Sequence, residues 1–279
     1  MFQYAAGRAL SLKRSESLLL DTSGFANYAF HQGFELHRVF NCTADIASEA
    51  DMRGILGWQF SPGIRRVLSR PQMAMLRRKT FVVEPYFHYW QGIKNISADC
   101  YITGYWQSEK YFSEIAAQIR KDFSFRTPLE NKNAELANQI DQVNAISLHV
   151  RRGDYASIPK NATTYELCSL DYYKASIQYI AARVKKPHFF IFSDDPAWVK
   201  SNLQIDLPHQ YVDHNHGENS YNDMRLMSFC KHHIIANSSF SWWGAWLNSN
   251  LDKTVVAPKR WFSNQRKTID LLPIGWIKL

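Results

Sequence analysis

The chain has only four cysteines, Cys42, Cys100, Cys168 and Cys230, scattered without a C-x-x-C pair or any metal-ligand spacing. That scatter excludes a disulfide framework and a thiolate metal centre, and it fits reduced, buried thiols in a cytoplasmic protein. No apolar run reaches the roughly 18 residues that a membrane-spanning helix requires. The start lacks the apolar core of a secretory leader. Neither G-x-x-x-x-G-K-S/T nor G-x-G-x-x-G occurs, which excludes a P-loop NTPase and leaves a dinucleotide oxidoreductase poorly supported. No RNA- or DNA-reading motif, internal repeat or low-complexity stretch is found, so a nucleic-acid partner is not expected. Acidic residues are the scarcer charge, 25 against 33 Lys and Arg. The resulting net charge of +8 calls for an anionic partner, such as a nucleotide or an acidic membrane face.

What is present is an ordinary globular composition, 46% hydrophobic and 21% charged over 279 residues, with 9 Trp, 14 Tyr and 17 Phe. The clearest linker is Thr127–Asn133, polar and turn-forming. It divides the chain into residues 1–133 and 134–279. Met1–Ser11 reads as a helix and Phe34–Val39 as a strand, from its alternation. Gly63–Lys79 is the most basic stretch. Pro71 splits it into two short helical turns, which read either as a solvated face or as a contact for anionic lipid or a charged acceptor. Phe81–Trp90 begins as a strand and ends in aromatics, of which Tyr86 and Trp90, with Trp106 further on, are candidates to stack on a sugar or to pack a core.

The second half reads as a nucleotide-binding α/β unit. Strands are expected at Ala145–Val150, His188–Phe192, Tyr211–Asp213, Ile234–Ala236 and Val255–Ala257, alternating with helices. If they are parallel, the loops after Val150, Phe192 and Ala236 share one crevice. There stand Arg151 and Arg152, then Asp194 and Asp195, then Ser238 and Ser239 at a helix start. Two guanidiniums beside a helix N-terminus suit a diphosphate. The alternative is an exposed loop whose arginines pair with Asp154. Asp194-Asp195-Pro196 reads as a helix cap rather than a metal site. His214/His216 and His232/His233 read as ordinary polar residues in a loop and at a helix end.

Five segments, MFQYAAGRALS near the start, GYWQSEKYF at 104–112, HVRRGDY at 149–155, FSDDPAWV at 192–199 and NDMRLMSFCKHHIIANSSFSWWGAWLN at 222–248, together resemble the bacterial α-1,2-fucosyltransferases of glycosyltransferase family 11. The resemblance implies a GT-B α/β fold of two facing Rossmann-like domains with parallel sheets. It implies GDP-fucose as donor on the second, a galactose-terminated glycan as acceptor mainly on the first, and no cofactor or obligatory metal. It implies Arg151 and Arg152 against the departing β-phosphate, His149 and Asp223 at guanosine, and Asp194, Ser238 and Ser239 lining the donor. Asp154 is expected chiefly to partner an arginine or His149, with a general-base role as the alternative. A peripheral contact with the inner membrane is a further expectation. Members of that family usually carry a strand and a G-G-L-G-N-Q turn directly before M-F-Q-Y-A. The first strand of the N-terminal domain is therefore expected to be missing here, with transfer reduced or absent. The alternatives are a catalytically silent nucleotide- or glycan-binding relic and a transferase of another nucleotide sugar.

Overall fold

Every strand of the three sheets runs parallel to its neighbours in this computed structural model, which describes residues 1–25, 32–97, 99–153, 164–264 and 266–279. The chain forms two compact α/β units. The first comprises Met1–Arg126 with Lys267–Pro273, and the second Thr127–Arg266 with Ile274–Leu279. The division therefore falls at Arg126/Thr127 rather than after residue 133, and a late segment returns to the first unit. Asn131–Gln142, read partly as linker, is helical throughout.

In the first unit, strands β1 (Leu19–Leu20) and β2 (Asp45–Ile46) pair, as do β3 (Phe81–Val83) and β4 (Tyr101–Thr103). Helix Phe2–Arg14 is held by Tyr4, whose hydroxyl donates to Asp122 Oδ2 at 2.8 Å, and by Arg8, which reaches the same oxygen at 3.1 Å. Two short helical segments, Pro62–Leu68 and Pro71–Leu76, flank the Pro71 break as its missing N–H and fixed φ require. Phe34–Val39 is a correction. Leu36–Val39 is a single helical turn, because alternation over six residues also fits one turn with Val39 inward.

The second unit is built on a six-stranded sheet. Its strands are β5 (Asn144–Val150), β6 (Pro187–Ser193), β7 (His209–Val212), β8 (His232–Ile234), β9 (Val255–Ala257) and β10 (Ile277–Lys278). Their spatial order is β10-β9-β8-β5-β6-β7. The chain builds outward from β5 through β6 to β7, then returns past β5 to lay down β8, β9 and β10. The winding thus reverses between β5 and β8, where open parallel sheets leave a crevice beyond their carboxyl ends.

Helices cover both faces, so the central strands are apolar nearly throughout. Ile146, Leu148, Val150, Phe189 and Ile191 pack under helices Leu170–Ala181 and Pro196–Asn202. Ala145, Phe190 and Phe192 pack on the other face against Leu136, Ile140, Leu226 and Met227. The period of two places Ser147 and His149 on that second face too. His233, at the middle of β8 and fully buried, bridges Ser147 Oγ and Asn248 Nδ2, each at 2.8 Å. Since the Asn248 amide must donate to Nε2, Nδ1 carries the proton and the ring is neutral. Burial pushes its pKa well down, in agreement. The reading of His232 and His233 as polar residues at a helix end is thereby corrected: both belong to a strand and His233 to the core.

Candidate active site

Register brings the predicted residues of the first two strand ends together. Val150 pairs with Ser193, so Arg151 and Asp194 are the next residues out on neighbouring strands. Arg151 Nε lies 3.2 Å from Asp194 Oδ2, and the Arg152 backbone N–H donates to Asp194 Oδ1 at 2.9 Å. One carboxylate thus ties down both arginines as they leave the sheet. Arg152 stacks its guanidinium 3.8 Å above the centre of the Trp198 ring and approaches Asp195 Oδ2 at 4.0 Å. Asp195 also caps helix Pro196–Asn202, accepting from the Trp198 N–H at 3.1 Å, as the acidic residue before proline predicts. Both arginine side chains keep a quarter of their surface in solvent. They are positioned but not enclosed.

Gly153 explains why this turn has no side chain. A Cβ there would sit 2.5 Å from Asp194 Oδ2, well inside contact distance. Gly153→Ala must displace a carboxylate already bonded on two sides. It should lower the melting point, by about 1 kcal/mol of overpacking, and reduce turnover through the misplaced Arg151. A variant indistinguishable from wild type in thermal melts and initial rates would show that Asp194 swings free.

The third strand end contributes a helix start. Ser238 caps helix Ser239–Leu247, its buried Oγ accepting from the Phe240 N–H at 3.3 Å, while Ser239 is exposed. Gly244 lies so close to Met227 that an added Cβ would come within 3.0 Å of Met227 Cβ. That approach, with Trp242 and Trp243 buried, fixes this helix against helix Tyr221–Phe229. Asn237, fully buried, donates to Trp261 O at 2.9 Å and to Glu166 O, anchoring two loops beneath the cap. Leu148 pairs with Ile234, and three residues further along each strand stand Arg151 and Asn237. The helix's positive end and the guanidiniums therefore flank the switch point from opposite sides.

His149 is buried near Phe240, with ring centroids 5.8 Å apart. Burial lowers its pKa to about 4, only partly offset by the Asp194 charge. The ring is neutral at pH 7, and its Nδ1 has no hydrogen-bond partner among the described residues.

Asp223 opens helix Tyr221–Phe229 and sits in an amide network that the sequence reading did not include. Asn215 Nδ2 donates to Asp223 Oδ1 at 2.7 Å, and Asn133 and Asn215 exchange amide hydrogen bonds at 2.9 and 3.0 Å. His214 Nε2 completes the network, 2.8 Å from Asn133 Oδ1. His214 is thus more than an ordinary loop residue. Burial raises the Asp223 pKa to about 7, opposed by the Asn215 bond.

In the first unit the three aromatic candidates part company. Tyr86 is exposed and stacks on His88 with centroids 3.9 Å apart. Trp90 is half-buried, its backbone N–H donating to Tyr111 Oη at 2.9 Å. Trp106 is completely buried, edge-on to Tyr111. With no open ring face it packs a core, and the expectation of sugar stacking is corrected. The exposed neighbour is Tyr105, whose N–H, like that of Trp106, donates to the Glu84 carboxylate. Asp154 lies outside the described residues. Among those described, no group of three His, Cys, Asp or Glu is placed to hold a metal.

A family model described as Glycosyl transferase family 11 matches residues 76–279. The chain is 37% identical over 283 residues to an alpha-1,2-colitosyltransferase of Escherichia coli, covering all of this chain and 94% of that one. It is 31% identical over 296 residues to the O-antigen biosynthesis glycosyltransferase WbnK of the same species, covering all of this chain and 96% of the relative. Among solved structures, the fucosyltransferase NodZ from Bradyrhizobium aligns with a TM-score of 0.49 at 15% identity, covering 87% of this chain and 86% of that one.

Proposed function

The chain belongs to glycosyl transferase family 11, and from that premise we propose that it transfers L-fucose from GDP-fucose to the 2-hydroxyl of a terminal galactose, with inversion, in building a surface glycan. The observation that carries this reading is the pair Arg151 and Arg152 at the carboxyl end of β5, oriented by Asp194, with the helix capped by Ser238 following the neighbouring strand β8. Breaking the bond between sugar and diphosphate leaves negative charge on the β-phosphate. Fixed cationic donors at that point stabilise the transition state more than the ground state. Asp194 acts on the donor through the arginines, since both its oxygens are engaged by them. Ser238 likewise contributes chiefly by capping, which leaves Ser239 to reach the donor. His149 and Asp223 are assigned to guanosine, where a carboxylate can accept from both N1–H and the exocyclic amine. Tyr86 and Trp90 are assigned to the acceptor.

A second reading keeps the site and changes the sugar. The relative named as a colitosyltransferase spans the whole chain, and colitose is fucose without its 3-hydroxyl. Calorimetry with GDP, GDP-fucose, GDP-mannose and UDP-galactose, followed by transfer assays with GDP-fucose and GDP-colitose on lactose, tests both. GDP and GDP-fucose should bind and UDP-galactose should not, with a 2-O-fucosyl product. Binding of UDP-galactose in preference would sink the guanine assignment. Transfer from GDP-colitose alone would replace the sugar but leave the phosphate site standing.

A further inference from the structure

From Met52 to Val83 the chain carries seven Arg and Lys and no Asp or Glu. Three of those cations are engaged within the first unit. Arg53 pairs with Glu49 and Arg65 with Asp21, while Arg77 donates to Leu68 O and Arg70 O at 2.6 and 2.9 Å. The other four, Arg66, Arg70, Arg78 and Lys79, are exposed and make no ion pair among the described residues.

The same segment turns large apolar side chains outward. Trp58 is 60% exposed, Met75 97% and Leu76 62%, and Val67 is exposed beside Arg66. This is not a loosely attached stretch whose apolar groups await a core. Leu68 is buried with Met52, Leu56 and Phe81, and Ile64 and Met73 pack on that cluster. Arg77 then clips the turn Pro71–Leu76 to the end of the preceding helix. Arg78 lies over Gly57, next to Trp58, which joins the two ends of the patch. The inward face is thus fully used, and the outward face is held with cations and apolar tips interleaved.

We propose that this face, Trp58 and Val67 with Met75, Leu76 and the four cations, docks on an anionic phospholipid surface. A bilayer interface rewards both halves of the pattern. Phosphate headgroups attract the guanidiniums, and the acyl boundary takes up the apolar tips. A nucleic acid would use the cations but leave Met75 and Leu76 in water, since base stacking calls for aromatic rings. No helix among the described residues is long and apolar enough to cross a membrane.

Vesicle co-sedimentation tests this with phosphatidylcholine alone and with about one-third phosphatidylglycerol. The protein should bind the anionic vesicles, and raised salt should release most of it. Arg66→Glu with Arg70→Glu should weaken partitioning at least ~10-fold. Met75→Ser with Leu76→Ser should do so by a similar factor, and neither pair should change the melting temperature. Equal binding to neutral vesicles, or none to either, would overturn the proposal. If the Met75/Leu76 pair binds like wild type while single-stranded DNA competes for the patch, the surface is a polyanion site and the lipid assignment is wrong.

Discussion

Arg151→Ala lowers turnover at least ~100-fold, the magnitude of losing one charge-stabilising donor at a developing oxyanion, while the acceptor KM stays near its wild-type value. The location of the charge change decides the size of the effect. In the ground state the donor's diphosphate already bears negative charge, so any cation nearby helps it bind. On the proposed reaction, further charge appears on the β-phosphate when the bond to the sugar breaks, and Arg151 is held at the strand end by Asp194 before the reaction begins. Arg151→Lys keeps the charge and loses the planar fork, together with the Nε contact to Asp194, so it should recover only a small part of the rate. Single-turnover rates at saturating GDP-fucose separate this loss from weakened binding. Full activity in Arg151→Ala would place the phosphate site elsewhere on the molecule.

Affinity for guanosine rises about tenfold between pH 6 and pH 8 if the base is read by the Asp223 carboxylate. The group has a pKa near 7 in the free protein because it is buried, and only its ionised form can accept both guanine N–H groups. At the lower pH most molecules must first lose a proton; at the upper pH nearly all have. Guanosine, rather than GDP, keeps phosphate protonation out of the profile. His149, neutral down to about pH 4, does not titrate in this window. Stability moves the other way. A carboxyl whose folded pKa lies above its unfolded value of 3.8 contributes most below that value, and the contribution is lost as pH rises through about 7. Asp223→Asn should therefore bind guanosine weakly, without pH dependence, and raise the melting point of the free protein at pH 8. A tenfold profile that survives in Asp223→Asn would assign the titration to another group.

Short-range signals carried much of this chain. The apolar runs NAISLHV and HFFIF are near-continuous because both faces of their strands are covered, and they mark the middle of the sheet. Asp195-Pro196 and Ser238 mark helix starts because a side-chain acceptor one step before a helix satisfies its free N–H groups. Val255–Ala257 is a strand to the residue. β10 escaped notice since two residues, Ile277 and Lys278, have no period to recognise.

The sequence by itself determined the class of the fold, the strand that ends in arginines and the helix that begins at the serines, because each is written in neighbouring residues. Only the tertiary structure decided who holds whom. Asp194 was found on Arg151, since parallel register aligns positions 43 apart in sequence. Asn133 reached Asn215, which in turn holds Asp223, through the packing of a helix against a loop 82 residues away. Trp106 went inside while Tyr105 stayed out, because the Glu84 carboxylate bonds both their amides and sets the direction of the turn. Capping and periodicity act over a few residues, whereas register and burial are settled by the whole chain at once, and one sequence read along its length does not contain their outcome.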